Sequence, residues 1–194
     1  MAGYSELTAI VVVDVQNDFA DTAGSLYVRA GQSVVPIINS EIDIARSLGA
    51  AVVYTQDWHP ASTPHFMTDG GIWPPHCVAG TWGAEFHPDL HVGGEVVRKG
   101  LDGQDGYSGF SVRDALSGKT APTVLDSMLR ARNIRTVVVC GLATDYCVVE
   151  TVLDAAKLGY EVKVFADAIR AVDLQPGDGD RALVKMREAG AQII

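Results

Sequence analysis

Basic residues are scarce in this 194-residue chain, with 15 Lys and Arg against 24 Asp and Glu and a formal net charge of −9. Proteins that bind nucleic acid or anionic membranes neutralise phosphate groups with clustered Lys and Arg. We therefore expect neither nucleic acid nor a membrane as a partner. Apolar residues make up 47% of the chain and charged residues 20%, a composition typical of a globular protein rather than a disordered one.

Long apolar runs are also missing. A run such as Ala9 to Val13 ends at Asp14, far short of the roughly 18 residues that a membrane-spanning helix needs. No basic segment precedes this run, so the sequence does not predict a secretory signal peptide.

Cysteine is limited to three residues in a chain large enough to fold without disulfides. We expect reduced thiols in a cytoplasmic protein.

Short β-branched runs alternate with segments of helical periodicity along the whole chain. The predicted strands cover residues 8–14, 50–55, 95–99, 136–141, 161–166 and 191–194, and the predicted helices cover 34–48, 121–132, 144–158 and 179–189. This alternation predicts a single three-layer α/β/α domain over 1–194, with an open, mainly parallel sheet of about six strands. Ligands bind such sheets beyond the carboxyl ends of the strands.

The segment 56–94 interrupts this alternation and is rich in His, Trp, Pro and Gly. We expect a loop insertion here, because it lacks sustained periodicity and all five His of the chain lie within it. Carboxylate and imidazole groups together suit a divalent ion such as Zn, Fe or Mn. The candidate ligands for one such ion are Asp57, His59, His65 and His76. A polar surface loop with unrelated histidines explains the same pattern.

Cys147 follows the predicted strand 136–141 and lies in the first turn of the predicted helix if Thr144 is its N-cap. The helix dipole stabilises a thiolate at that position, and free N–H groups in the turn can receive an oxyanion. These features favour a nucleophile, although a cysteine packed in the core fits the same pattern. Cys77 and Cys140 are interpreted as packing residues.

Two charged residues stand at the ends of other predicted strands. Asp14 closes the first strand, where apolar neighbours can raise a carboxyl pKa to a value suited to proton transfer. Lys99 ends the third strand and can stabilise a thiolate or an ionised Asp14. Taken alone, Asp14 is equally well explained as a turn residue and Lys99 as a surface residue at a sheet edge.

Five segments, taken together, resemble the nicotinamidase/pyrazinamidase family of the isochorismatase-like cysteine hydrolases. They are VVDVQNDF (12–19), QDWHP (56–60) with His65, WPPHCVAGTWGAEFHPDL (73–90), RKG (98–100) with DGYSGF (105–110), and GLATDYCVVET (141–151). The segments run in the family's order from residue 12 to about residue 151. The resemblance implies the isochorismatase-like hydrolase fold.

The resemblance also implies roles for individual residues. The catalytic residues would be Asp14, Lys99 and Cys147. The ligands of one divalent metal ion (Zn, Fe or Mn) would be Asp57, His59, His65 and His76. The aromatic residues of the substrate pocket would be Phe19, Trp73 and Tyr107. The oxyanion hole would consist of the backbone N–H groups of Ala143 and Cys147, with a cis peptide bond before Ala143.

The implied reaction is hydrolysis of nicotinamide to nicotinate and ammonia, and of pyrazinamide to pyrazinoate, through a thioester on Cys147. Such an enzyme would serve NAD salvage and take small-molecule substrates as a monomer or homodimer. Three other interpretations stay open. They are an isochorismatase-like amidase for a different small amide, a metal-hydroxide hydrolase in which Cys147 is a bystander, and a non-catalytic module that binds a metal or nicotinamide. Residues 66–72 match no fixed pattern of the family.

Overall fold

A six-stranded sheet forms the centre of the computed structural model, which describes residues 2–194. From one edge to the other its strands are β3 (Glu95–Lys99), β2 (Ala51–Asp57), β1 (Thr8–Val13), β6 (Thr136–Leu142), β7 (Glu161–Arg170) and β8 (Gln192–Ile193). All neighbouring strands in this sheet run parallel. The predicted open parallel sheet is therefore confirmed.

Helices cover both faces of the sheet, because successive side chains of a buried strand point in opposite directions. One set of alternate residues in β1 belongs to a core shared with α3 (Leu125–Ala131), α4 (Val149–Lys157) and α5 (Asp178–Glu188). The other set, Ile10 and Val12, belongs to a second core shared with α2 (Val35–Ser47). The result is the predicted three-layer arrangement.

The strand register brings several strand ends to one edge of the sheet. Val13, the last residue of β1, is level with Thr55 on β2 and Gly141 on β6. Asp57, at the end of β2, is level with Lys99 at the end of β3. The charged residues that end these strands, and the turn after β6, therefore lie at the carboxyl edge.

The predicted helix 121–132 is wrong in its first turn. Residues Thr120–Pro122 form strand β5, which pairs with β4 (Ser111–Arg113) in an antiparallel hairpin. Helix α3 begins only at Leu125, whose N–H donates to Thr123 Oγ1 at 3.1 Å. A threonine hydroxyl in that position offers the chain a turn before the helix.

The predicted helix 144–158 is confirmed to within one residue, and only the character of its first turn differs. It opens with a π-helical turn, Thr144–Val148, and continues as α4. Ala143 is the flanking residue, and its carbonyl accepts hydrogen bonds from the N–H groups of Tyr146 and Val148. The assignment of Thr144 as N-cap is therefore wrong. Strand β7 is also longer than predicted, because its pairing resumes after a register shift beside Gly141.

The rest of the chain adds few regular elements near the site. The segment 56–94 contains two short 3₁₀ turns, Met67–Asp69 and Trp82–Ala84.

The three cysteines are free and buried, and Cys77 and Cys140 belong to the core shared with α2, as predicted. Within residues 2–194, no helix combines the length and the apolar character needed to cross a bilayer.

Candidate active site

Asp14, Lys99 and Cys147 meet at the carboxyl edge, although each comes from a different strand end. Lys99 Nζ lies 2.7 Å from Asp14 Oδ2 and 3.7 Å from Cys147 Sγ. The thiol and the carboxylates of Asp14 and Asp57 have atoms within 4.8 Å of one another. All of these side chains are buried. The implied catalytic triad is thus a contact cluster, and its role in catalysis stays a prediction.

Two carboxylates share the single ammonium group of Lys99. Asp57 Oδ1 lies 2.5 Å from Lys99 Nζ. Burial opposes the charge of Lys99, but Asp14 and Asp57 hold its pKa well above the ordinary value. Burial alone would raise the pKa of Asp57, yet Lys99 and the nearby imidazoles hold it below its usual range. For Asp14 burial outweighs the effect of Lys99 and raises the pKa to about 6. One ammonium cannot neutralise both carboxylates, and Asp14 is the one that can take up a proton.

The surroundings of Cys147 favour the neutral form of its thiol. Burial raises its pKa well above the ordinary value, although Lys99 acts in the opposite direction. The helix dipole expected to stabilise a thiolate at this position therefore acts against burial, and that expectation stays a prediction. The thiol needs a base, and Asp14 lies within reach. Thr55 Oγ1 donates to Asp14 Oδ1 at 2.6 Å, while Oδ2 faces Lys99.

The turn after β6 carries the implied oxyanion hole. The Leu142–Ala143 peptide bond is cis, as the resemblance implies. Within residues 2–194, the Ala143 N–H makes no hydrogen bond to another residue. Ala143 and Cys147 line the same cavity. Their backbone groups are therefore close to the place where a substrate carbonyl would meet the thiol, and their role stays a prediction.

Three imidazoles from the segment 56–94 converge beside this cluster. Ring nitrogens of His59, His65 and His76 lie within 4.8 Å of one another, and all three residues are buried. The rings of His59 and His65 stack with their centroids 4.8 Å apart. Asp57 Oδ2 lies 3.8 Å from His59 Nε2. The four residues predicted to hold a metal are neighbours in the structure.

The free donor atoms of this group fit a divalent metal ion. Within the described residues neither ring nitrogen of His59 has a hydrogen-bond partner, although the residue is only 1% exposed. Buried polar atoms without a partner are costly unless a bond or an ion compensates them. His76 Nδ1 lies 2.8 Å from the Pro74 carbonyl oxygen, which leaves Nε2 as the free donor. Burial lowers the pKa of His76 to about 4, and metal binding requires the resulting neutral ring.

One cavity of about 420 Å³, its open mouth included, adjoins both clusters. The three predicted pocket aromatics, Phe19, Trp73 and Tyr107, line it together with Cys147 and the three imidazoles. Phe19 belongs to the short helix α1 (Asn17–Ala20), and its ring centroid lies 5.5 Å from that of His76. Trp73 Nε1 donates to Tyr107 Oη at 2.8 Å, which ties the segment 56–94 to the loop after β3.

Two supporting residues escaped the sequence interpretation. The side-chain amide of Gln16 forms hydrogen bonds with both backbone groups of Asp57. Its Nε2 donates to the Asp57 carbonyl at 2.8 Å, and its Oε1 accepts from the Asp57 N–H at 2.8 Å. Asp105 Oδ1 lies 2.7 Å from His65 Nδ1. Gln16 lies in the quoted segment 12–19 and Asp105 in the quoted segment 105–110, but the resemblance assigned neither residue a role. Further unpredicted pocket residues are Leu26, Val28, Tyr146 and Val172.

Comparison with known proteins gives consistent matches over nearly the whole chain. The family model described as the isochorismatase domain matches residues 8–194. The chain is 41% identical to the nicotinamidase of Escherichia coli (strain K12), over 95% of this chain and 93% of that protein.

Two solved structures are similar to this chain. The pyrazinamidase of Pyrococcus horikoshii in complex with zinc has a TM-score of 0.85 and 38% identity, over 97% of this chain and 98% of that one. The protein PnC1 from L. infantum in complex with nicotinate has a TM-score of 0.88 and 35% identity, over 98% of this chain and 94% of that one.

Proposed function

The chain belongs to the isochorismatase family, and we propose that it is a metal-dependent cysteine amidohydrolase that converts nicotinamide to nicotinate and ammonia. Pyrazinamide is the second expected substrate, with pyrazinoate as its product. The observation that carries the proposal is one cavity that adjoins Cys147, the imidazole cluster and aromatic walls. The similar proteins named as nicotinamidase and pyrazinamidase support this choice of substrate.

In the first half-reaction Asp14 acts as base and then as acid. It removes the proton of Cys147, and the thiolate attacks the carboxamide carbon to form a C–S bond. The backbone N–H groups of Ala143 and Cys147 stabilise the oxyanion. Asp14 then gives its proton to the amide nitrogen, the C–N bond breaks, and ammonia leaves a nicotinoyl thioester.

In the second half-reaction, after ammonia has left, water hydrolyses the thioester. Asp14 takes a proton from this water, whose oxygen attacks the thioester carbon. The C–S bond breaks, Asp14 returns the proton to the Cys147 sulfur, and nicotinic acid leaves and loses its remaining proton to solvent to give nicotinate. Lys99 stays charged throughout, because it lies 2.7 Å from Asp14 Oδ2 and 3.7 Å from the sulfur. Its ammonium stabilises whichever of these two atoms carries the negative charge.

The residues that would hold the metal ion are Asp57, His59, His65 and His76. Zn, Fe and Mn all accept carboxylate and imidazole ligands, so these residues do not select among them. A divalent ion held by these residues would supply a Lewis acid to the substrate ring. The chain itself orients the flat ring, with Phe19, Trp73 and Tyr107 in the cavity wall. A cytoplasmic location and a monomeric or homodimeric state stay predictions.

A panel of amides tests the substrate assignment. Ammonia release is measured with nicotinamide, pyrazinamide, benzamide and a carbamoyl compound, on protein loaded with zinc, iron or manganese. We expect turnover of the first two and much slower turnover of benzamide, which lacks a ring nitrogen. Removing the metal should lower turnover, and adding it back should restore it. Turnover of the carbamoyl compound alone would contradict the proposal and favour another amidase of the same family.

A further inference from the structure

The three clustered imidazoles differ in what their second ring nitrogen contacts. His76 Nδ1 meets a backbone carbonyl, and His59 has no hydrogen-bond partner within residues 2–194. His65 Nδ1 meets a carboxylate, since Asp105 Oδ1 lies 2.7 Å away. Among the described residues, His65 is therefore the one imidazole of the cluster with a carboxylate at hydrogen-bond distance, because the Asp57 carboxylate lies 3.8 Å from His59 Nε2. This contact crosses between two loops, because His65 follows β2 and Asp105 follows β3.

We propose that Asp105 is a positioning residue for the metal centre: its carboxylate accepts the Nδ1–H of His65 and leaves Nε2 as the ligand atom. The inference rests on the metal-binding half of the proposed function. A carboxylate partner fixes the tautomer and the orientation of a ligating imidazole and makes the ring a stronger donor. A protonated His65 in a plain ion pair with Asp105 would have no lone pair to offer.

The backbone around Asp105 is fixed independently of its side chain. The Asp105 N–H donates to the Arg113 carbonyl at 2.7 Å, and the Arg113 N–H donates to the Asp105 carbonyl at 2.9 Å. Arg113 is the last residue of β4 in the β4–β5 hairpin. The backbone that carries the carboxylate is therefore held by hydrogen bonds that involve none of the proposed metal ligands.

The residues that follow Asp105 contact the other two parts of the site. The Gly106 carbonyl accepts a hydrogen bond from Lys99 Nζ. The Tyr107 hydroxyl accepts one from Trp73 Nε1 at 2.8 Å. Three consecutive residues thus touch the imidazole cluster, the catalytic ammonium and the pocket wall. A shift of Asp105 would disturb all three, so the test must separate a metal effect from a general loosening of this loop.

The zinc affinity of the protein provides that test. The metal-free protein is titrated with zinc against a chelator of known affinity, for the wild type, Asp105→Asn and Asp105→Ala. Asp102→Asn is the matched control, because Asp102 is an exposed carboxylate of the same loop whose side chain contacts Gln104. We expect a loss of zinc affinity of about 10- to 100-fold for both Asp105 variants and none for the control. Thermal melting of the metal-free forms should be the same for the wild type and Asp105→Asn.

The tautomer of His65 is a second readout that needs no variant. In ¹⁵N NMR spectra of the zinc-loaded wild type, we expect the His65 proton on Nδ1. A proton on Nε2, or an Asp105→Asn variant that binds zinc as tightly as the wild type, would overturn the inference. Lower affinity together with an equal loss in Asp102→Asn would also overturn it, because that result indicates a general effect on the loop. A wild type that binds no zinc would instead refute the metal half of the proposed function, and the inference with it.

Discussion

The carboxylate of Asp57 lies between Lys99 and His59, with Oδ1 2.5 Å from Lys99 Nζ and Oδ2 3.8 Å from His59 Nε2. One residue therefore belongs to the cluster around the thiol and also to the predicted metal centre. The two clusters form one continuous polar unit in a buried site, where electrostatic effects are strong. A substitution in the cluster around the thiol should therefore alter the electrostatics of the predicted metal centre, and the reverse should also hold.

The acid limb of the pH profile should report on Asp14. Burial raises the pKa of this carboxyl to about 6, so its basic form is lost as the pH falls through that value. Because the base must be ionised to accept the Cys147 proton, kcat/KM should fall about tenfold per pH unit below about pH 6. Asp14→Asn should lower kcat by about 10²- to 10⁴-fold and should lack this limb. A wild-type profile that stays flat down to pH 5 would refute Asp14 as the base.

Metal content should depend on His59 and not on every histidine of the segment. His59 is buried with both ring nitrogens lacking a partner within residues 2–194, whereas His91 is exposed and pairs with Asp43. His59→Ala should lose bound zinc after gel filtration and should no longer gain melting temperature when zinc is added. His91→Ala serves as the control and should behave like the wild type. Equal zinc content in both variants would remove His59 from the ligand set.

Gly100 should be required for the position of the His59 ring. Its φ of +80° favours glycine, and an added Cβ would lie 2.5 Å from His59 Cε1. Gly103 has the same φ of +80°, but its Cβ would meet only the Thr63 side chain, at 3.3 Å or more. An alanine at either position should cost about 1–2 kcal/mol of folding free energy through backbone strain.

The Gly100→Ala and Gly103→Ala variants therefore form a matched pair. Both should be destabilised in denaturant unfolding of the metal-free protein, and only Gly100→Ala should lose zinc affinity. Similar zinc affinity in the two variants would show that the contact with His59 does not matter for metal binding.

The sequence predicted the sheet and the site residues because both depend on local patterns. Short β-branched runs mark the strands, and Asp14 and Lys99 stand out because they end such runs. The register of Val13 with Gly141 then follows from parallel pairing and brings Cys147 to the same edge. The resemblance to a known family contributed Phe19, Trp73 and Tyr107, which carry no signal of spacing.

The errors and omissions arose where tertiary contacts decide the outcome. A helix was expected to begin at residue 121, yet Thr120–Pro122 pair with Ser111–Arg113 in a hairpin, because cross-strand bonds outweigh local helix preference there. The burial of Cys147, which raises the pKa of its thiol, is not visible in the sequence either. Gln16 and Asp105 act on residues about forty positions away, and no local pattern announces such contacts.

Turnover of nicotinamide by the wild type, Cys147→Ala and Cys140→Ala, each loaded with the same metal, tests the central claim most directly. Cys140 is the matched control, because it is a free, buried cysteine of strand β6 that lies outside the cavity. We predict that Cys147→Ala loses at least about 10³-fold in kcat while it keeps its metal, and that Cys140→Ala stays close to the wild type. A Cys147→Ala enzyme that releases ammonia at a near-normal rate would contradict the covalent mechanism and leave Cys147 as a bystander.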